Sequence, residues 1–433
     1  MTTPTDDPAT GSSRRQFLRR GGLGLAALYV SLQEIQQAVA DELPSKATGA
    51  RSFGGLRAGY SLADGLTYLN HASIGTMPRA IQQAQRRYLE LCESNPWLHM
   101  WGTAWKGPRD EVRGRLADWL SVDADELAFT HNTTECFNLL AQGLPLGDGD
   151  EVLFTSLNHS GASVCWRHAA ERRGFTVREL PFPVADTAGL STEDVVRLHV
   201  DAVREKTRVL VLPHVDNLVG LHHPVQEIAR QARSRGVRWV VVDAAQTIGM
   251  LPVDVGALGV DALATSPHKW LQAPKGTGLA YLSKSVQEDL EPMWVTWGQR
   301  IWQGSARAFE DYGTRNLAEV LTLGDALTFQ QNLGAAALEE HHRRLWQHAK
   351  ARVDAEPKLT WNSPRDWKLS AALYSVGFTG KPADEVFTQL FEEKGFVFRP
   401  FTVQGLNAVR LSPNALNDER ELDAFFDALL ALL

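Results

Sequence analysis

The sequence predicts an α/β fold: a mainly parallel sheet between helices, with a smaller α+β unit at the C-terminal end. Two observations carry this. From about residue 127, short wholly apolar runs of strand length alternate with stretches of helical spacing; such strands are buried on both faces, as in parallel sheets covered by helices. After about residue 325 the alternation gives way to a long helical segment, short strands and a final helix, the order of an α+β unit.

The chain has 433 residues, 44% apolar and 22% charged, enough for a large core and an ordinary globular composition. Its net charge of −7 argues against a nucleic-acid partner. No run of 18 apolar residues occurs, so no conventional membrane span is expected. Residues 1–40 differ in kind. Arg14 and Arg15 precede Phe17 and Leu18, a short Gly/Ala/Leu stretch follows, and Ala38-Val39-Ala40 offers small residues at signal-peptidase spacing. This resembles a twin-arginine export signal with cleavage after Ala40, and implies a periplasmic or otherwise exported protein that engages the twin-arginine machinery. Four arginines and three acids leave with residues 1–40, taking the net charge from −7 to −8. Only Cys92, Cys136 and Cys165 occur, too sparse a set for a disulfide framework.

Residues 41–66 read as an irregular lead-in, 67–325 as the large domain and 326–433 as the small one. "LTYLNHASIGTMP" is a short strand-like run that ends in Gly75 and Pro78. "RAIQQAQRRYLELCES" and "PRDEVRGRLADWL" have helical spacing of apolar residues. "ELAFT", "EVLFTS", "RVLVLPHV", "VRWVVVDAA" and "ALATS" read as strands, with helices such as "VQEIARQARSRG" between them. "LEEHHRRLWQHAKARVDA" and "DERELDAFFDALLALL" are the helices of the small domain.

In open α/β sheets, ligands bind beyond the carboxyl ends of the strands. One apolar run ends in Asp243, with Gln246 three residues on; another ends in Ser266, His268 and Lys269. A third leads through Asn132 to Thr133 and Thr134 at a helix start, where hydroxyls and backbone N–H groups form an anion site. Taken singly, Asp243 and the threonines are equally caps of the next helix. Together, a phosphate cradle, a carboxylate for a pyridinium nitrogen and a lysine for a Schiff base are what pyridoxal 5′-phosphate needs.

"TxNTTE", "HVDN", "VVVDAAQ", "SPHKW" and "GTRN" occur in the order seen in class V aminotransferase-fold, pyridoxal-phosphate-dependent enzymes. That group includes cysteine desulfurases and isopenicillin N epimerase, and "HKWLQAPKGTG" resembles the epimerase branch. The resemblance implies a type I fold, with a seven-stranded sheet in the large domain. It implies that Lys269, rather than Lys275, is the Schiff-base lysine, that Asp243 partners the pyridinium and that Gln246 donates to the ring oxygen O3′. His159 resembles the residue stacked on the ring, Asn217 the asparagine near ring oxygen and substrate, and Ser266 and His268 phosphate ligands. Alone, His159 is an ordinary loop histidine and Asn217 a turn residue. Thr314 resembles a phosphate ligand given by a second subunit, which implies a homodimer with shared sites. Arg410 resembles the arginine that grips a substrate carboxylate, with Arg399 as its companion. Leu416 stands where a Tyr is common, and Asp216 replaces a small residue before Asn217.

All cysteines lie at or before position 165, so desulfuration, which needs a cysteine in the C-terminal domain, is not expected. The expected function is action on an amino-acid or peptidyl amino group through an external aldimine. The leader adds a resemblance to exported periplasmic enzymes that tailor siderophores, and so suggests a secreted peptide metabolite as substrate. An amino-acid aminotransferase or epimerase is the alternative, a C–S lyase is less favoured, and a non-enzymatic exported binding protein of the same fold is the reading from another class.

Overall fold

A computed structural model describes residues 32–46, 53–101 and 106–433. Arg14 and Arg15 of the leader lie outside these residues. Residues 32–42 form a helix whose Leu32 and Val39, with Leu43 beyond it, are buried against the main core. The Ala40–Asp41 bond is therefore inside a packed helix. Among the described residues, no helix is long and apolar enough to cross a membrane.

Among the described residues, thirteen strands run in chain order from β1 (Thr67–Tyr68), β2 (Leu127–Thr130), β3 (Glu151–Thr155) and β4 (Thr176–Leu180). They continue with β5 (Thr207–Pro213), β6 (Trp239–Asp243), β7 (Ala262–Thr265) and β8 (Gly278–Leu282). The small domain supplies β9 (Leu359–Trp361), β10 (Tyr374–Phe378), β11 (Phe396–Val397), β12 (Arg399–Val403) and β13 (Leu406–Leu411). Seven strands form the central sheet in the order β2-β8-β7-β6-β5-β3-β4. The β3–β4, β3–β5, β5–β6 and β6–β7 pairs are parallel, and only β8 runs against its neighbours. Every residue of β6 and β7 is buried, which explains their unbroken apolar sequence.

Helices cover both faces. Arg79–Ser94 buries Ile81, Ala84, Tyr88 and Cys92, and Val225–Ser234 buries Val225, Ile228, Ala229 and Ala232; both follow the three-to-four-residue spacing of one helical face. Leu317–Leu333 is buried nearly all round and packs against the helices Arg79–Ser94 and Lys106–Leu120. The domain boundary expected between 325 and 326 falls inside this helix. The opening boundary shifts too: Thr67 and Tyr68 pair with Phe396 and Val397 of the small domain. The small domain's sheet, β12-β13-β10-β9, is antiparallel and packs on helices Ala335–Asp354, Ala383–Lys394 and Glu419–Leu432 through the cluster around Trp346, Phe398, Phe425 and Phe426.

Candidate active site

The C-terminal ends of β2, β3, β5, β6 and β7 open onto one side of the sheet. A cavity of about 460 Å³ there is lined by Thr133, Thr134, His159, Asn217, Asp243, Gln246, Ser266, His268, Lys269, Arg399 and Arg410, with Ala72 and Ser73. Every expected site residue except Thr314 thus comes together. A larger cavity of about 660 Å³, beside Trp119, Met250 and Gln330, holds none of them.

At one end, β2 passes into the helix Thr133–Gly143, whose N-cap Asn132 accepts from Glu135 N–H. Thr133 N–H donates to Ser266 Oγ at 3.0 Å, and the two hydroxyls lie 2.8 Å apart. A second helix, Ser160–Arg173, starts beside it. His159 caps it, its Nδ1 accepting from Gly161 N–H at 3.1 Å. That bond places the proton of neutral imidazole on Nε2. Burial, joined by Lys269, Arg410 and Arg399, outweighs Asp243 and holds His159 below the usual histidine range. A Cβ at Gly161 would lie 2.6 Å from Thr134 Oγ1 and 3.1 Å from His159 Nδ1, so glycine leaves the cradle open to an anion. His268 is held neutral, at about 4, by burial and by Lys269, and its Nδ1 has no partner.

In the middle, Asp243 ends β6, with Oδ1 accepting from Ala245 N–H at 2.9 Å. Lys269 is half-buried in the turn after β7. Burial lowers its amine to about 8 against the pull of Asp243. Lys275 is exposed and lines a different cavity with Thr76 and Arg86. Gln246 is held at both ends: Nε2 donates to Ala72 O at 3.0 Å, and Oε1 accepts from Trp270 Nε1–H at 2.8 Å. One N–H of its amide is left for an oxygen in the cavity.

At the other end Arg410, only 3% exposed, donates to Asn217 O at 2.7 Å, Asn70 Oδ1 at 3.0 Å and Ser73 Oγ at 2.7 Å. Its Nε–H has no partner. Burial, reinforced by Arg399, brings the guanidinium down to about 10. Asp216 takes no place in the cavity. Its carboxylate accepts from Leu218, Val219 and Leu221 N–H, which shapes the turn that presents Asn217. Leu416 is buried and does not line the cavity.

Thr314 is exposed and lines a separate cavity with Trp297, Trp302, Arg307 and Arg315. Glu310, which accepts from Phe129 N–H and is bidentate with Arg113, anchors that segment to β2.

Sequence reasoning missed Asn70, Ser73, Gly75 and Trp270. A Cβ at Gly75 would fall within 1.9 Å of Lys269 O, and Gly75 N–H donates to His268 O at 3.1 Å, so this loop lies directly on the lysine turn. The "NHASIG" string, polar and glycine-ended after a short strand, was the available signal.

The arrangement has been met before. The profile of the family described as Aminotransferase class-V matches residues 67–400. The chain belongs to that family. A probable cysteine desulfurase of Methanothermobacter thermautotrophicus is 31% identical over 66% of this chain and 72% of its own. An isopenicillin N epimerase of Streptomyces clavuligerus is 29% identical over 74% of this chain and 84% of its own. Among solved structures, a cysteine desulfurase from Thermococcus onnurineus NA1 superposes with a TM-score of 0.78, 23% identity, and coverage of 89% of this chain and 99% of that one. This class V protein is a pyridoxal-phosphate-dependent enzyme, and its residues fit that cofactor: an open anion cradle at Gly161, a strand-end carboxylate at Asp243 and a low-pKa amine at Lys269. Thr133, Thr134, Ser266 and His268 would hold its phosphate, and Asp243 and Gln246 its ring.

Proposed function

We propose that this class V enzyme acts on the amino group of an amino acid or peptide after export through the twin-arginine route, as a homodimer, in the tailoring of a secreted peptide metabolite or siderophore. One juxtaposition supports action on an α-amino acid: Lys269, Asp243 and Arg410 line a single cavity. When bound, the cofactor supplies an electron sink for breaking a bond at the substrate's Cα. Arg410 orients the substrate by its carboxylate. Lys269, with an amine at about 8, is poised near neutrality to take and return the Cα proton. Asp243 holds a proton on the ring nitrogen by opposite charge. His159, neutral and capping its helix, lines the same cavity, where it would lie against the cofactor ring.

Desulfuration is disfavoured because none of Cys92, Cys136 and Cys165 lines the cavity or belongs to the small domain. Burial raises the thiols of all three, away from the reactive thiolate. Between transamination and epimerisation, likeness to the isopenicillin N epimerase of Streptomyces clavuligerus favours a reading in which the Cα proton is removed and restored. The test is product analysis with a panel of amino acids and short peptides, with and without a keto-acid acceptor. Racemisation without acceptor supports epimerisation, acceptor-dependent amination supports transfer, and no turnover of any amine would sink the enzyme reading.

The homodimer draws support from an exposed apolar patch. Trp294, Val295, Trp297 and Ile301 are 45%, 87%, 83% and 63% exposed, beside the cavity that Thr314 lines. A second copy would cover this patch and bring Thr314 to its neighbour's phosphate cradle. An active monomer on a sizing column, with full cofactor affinity, would end this part of the proposal.

A further inference from the structure

Arg399 and Arg410 are direct cross-strand partners on the β12–β13 pair. Residues so paired have Cα atoms about 4.5–5.5 Å apart and side chains on one face, and like charges placed this way are destabilising. Both line the cavity, and among the described residues neither makes an ion pair. Asp216 is the carboxylate felt by Arg410, but it is held by three backbone N–H groups and makes no ion pair with it. The two guanidiniums sit at different depths, Arg410 sequestered and Arg399 exposed at the rim.

The rim position is held in place. Val403 and Leu406 close the hairpin around Gln404 and Gly405, both at positive φ (52° and 80°), as a tight two-residue hairpin turn requires. Gln404 Nε2 donates to Ser156 O at 2.7 Å and Ser156 Oγ donates to Gln404 Oε1 at 3.2 Å. The hairpin tip is thereby tied to the end of β3, three residues before His159. A surface arginine on a free hairpin needs no such clamp.

We infer that Arg399 recognises a second carboxylate, so that the substrates are amino acids with an anionic side chain. The inference rests on the proposed action on α-amino acids. One α-carboxylate answers Arg410 and leaves Arg399 uncompensated at the rim; a side-chain carboxylate a few bonds away answers it. The rival arrangement is one α-carboxylate shared by both arginines.

The test measures apparent Kd by the change in cofactor absorbance of the holoenzyme and by calorimetry. The probes are L-glutamate and L-2-aminoadipate against L-glutamine and L-norleucine. The wild type should bind the better acidic probe at least about 10-fold more tightly than its neutral counterpart, the size of one charge-assisted contact. Arg399→Gln should bring that ratio to near one, and Arg399→Lys should keep part of it because the charge remains. Arg410→Gln should weaken acidic and neutral probes alike. An acidic-to-neutral ratio of one in the wild type, or equal losses for both probe types in Arg399→Gln, overturns the inference in favour of a shared α-carboxylate. Binding of no amino acid by a cofactor-loaded protein instead removes the underlying reading, and the two failures are read from different measurements.

Discussion

Trp270 and Gln246, one residue after the site lysine and three after the site carboxylate, are joined by a 2.8 Å bond from the indole N–H to the amide oxygen. Trp270 is fully buried, and the bond dictates which end of the amide faces Ala72 O and the cavity. Trp270→Phe leaves a buried carbonyl oxygen without a donor, a loss of about 1–3 kcal/mol. A double-mutant cycle of Trp270→Phe with Gln246→Leu should show a coupling of about 1 kcal/mol or more by denaturant unfolding. Cofactor affinity should fall in both single variants. Strict additivity would show that the two side chains are not energetically linked.

The amine of Lys269 sits at about 8 because burial disfavours its charged form. Only the neutral amine is a nucleophile, so cofactor uptake by the apoprotein should speed up about tenfold per pH unit below 8 and level off above it. An uptake rate still climbing to pH 10 would contradict the lowered pKa. Lys269→Ala should abolish borohydride fixation of the cofactor, and Lys275→Ala should leave it intact.

Asp243→Asn keeps the size and the bond to Ala245 N–H but removes the charge that would face the cofactor's ring nitrogen. Turnover should fall on the order of 10²–10³ while cofactor remains bound. A variant rate within twofold of the parent would refute the role.

Gly161→Ala places a methyl 2.6 Å from Thr134 Oγ1 and 3.1 Å from His159 Nδ1. We expect cofactor affinity to drop at least tenfold with little change in apoprotein stability, since the cradle fills while the core is untouched. Unchanged affinity would show that the phosphate lies elsewhere.

Replacing Arg14 and Arg15 by lysine should leave an active protein in the cytoplasm, because the twin-arginine route reads the arginine pair itself. Continued export would exclude the twin-arginine route. The helix over 32–42, held by buried Leu32 and Val39, shields the Ala40–Asp41 bond. If the protein is exported, N-terminal sequencing of the material recovered outside the cytoplasm should therefore find a start before residue 32; a start at Asp41 would show the helix to be dispensable.

Much of this protein was legible in the chain itself. The apolar runs that end in Asp243 and in Ser266-Pro267-His268-Lys269 are local patterns, and local periodicity reports burial on both faces directly. β4, half exposed at the sheet edge, left no apolar run in TVREL to mark it, and nothing local in GLAYL shows that β8 runs antiparallel to its neighbours. The helix Leu317–Leu333 runs across the expected boundary at 325/326, because a helix apolar on every side has no face to mark it. Only the tertiary structure decided how the chemistry is held. Arg410 is oriented by Asn70 and Ser73, more than 330 residues earlier, and Gln246 by Trp270 and Ala72. Those partners are chosen by packing and loop closure across the whole fold, and a polar group's distant partner leaves no local signature beside it.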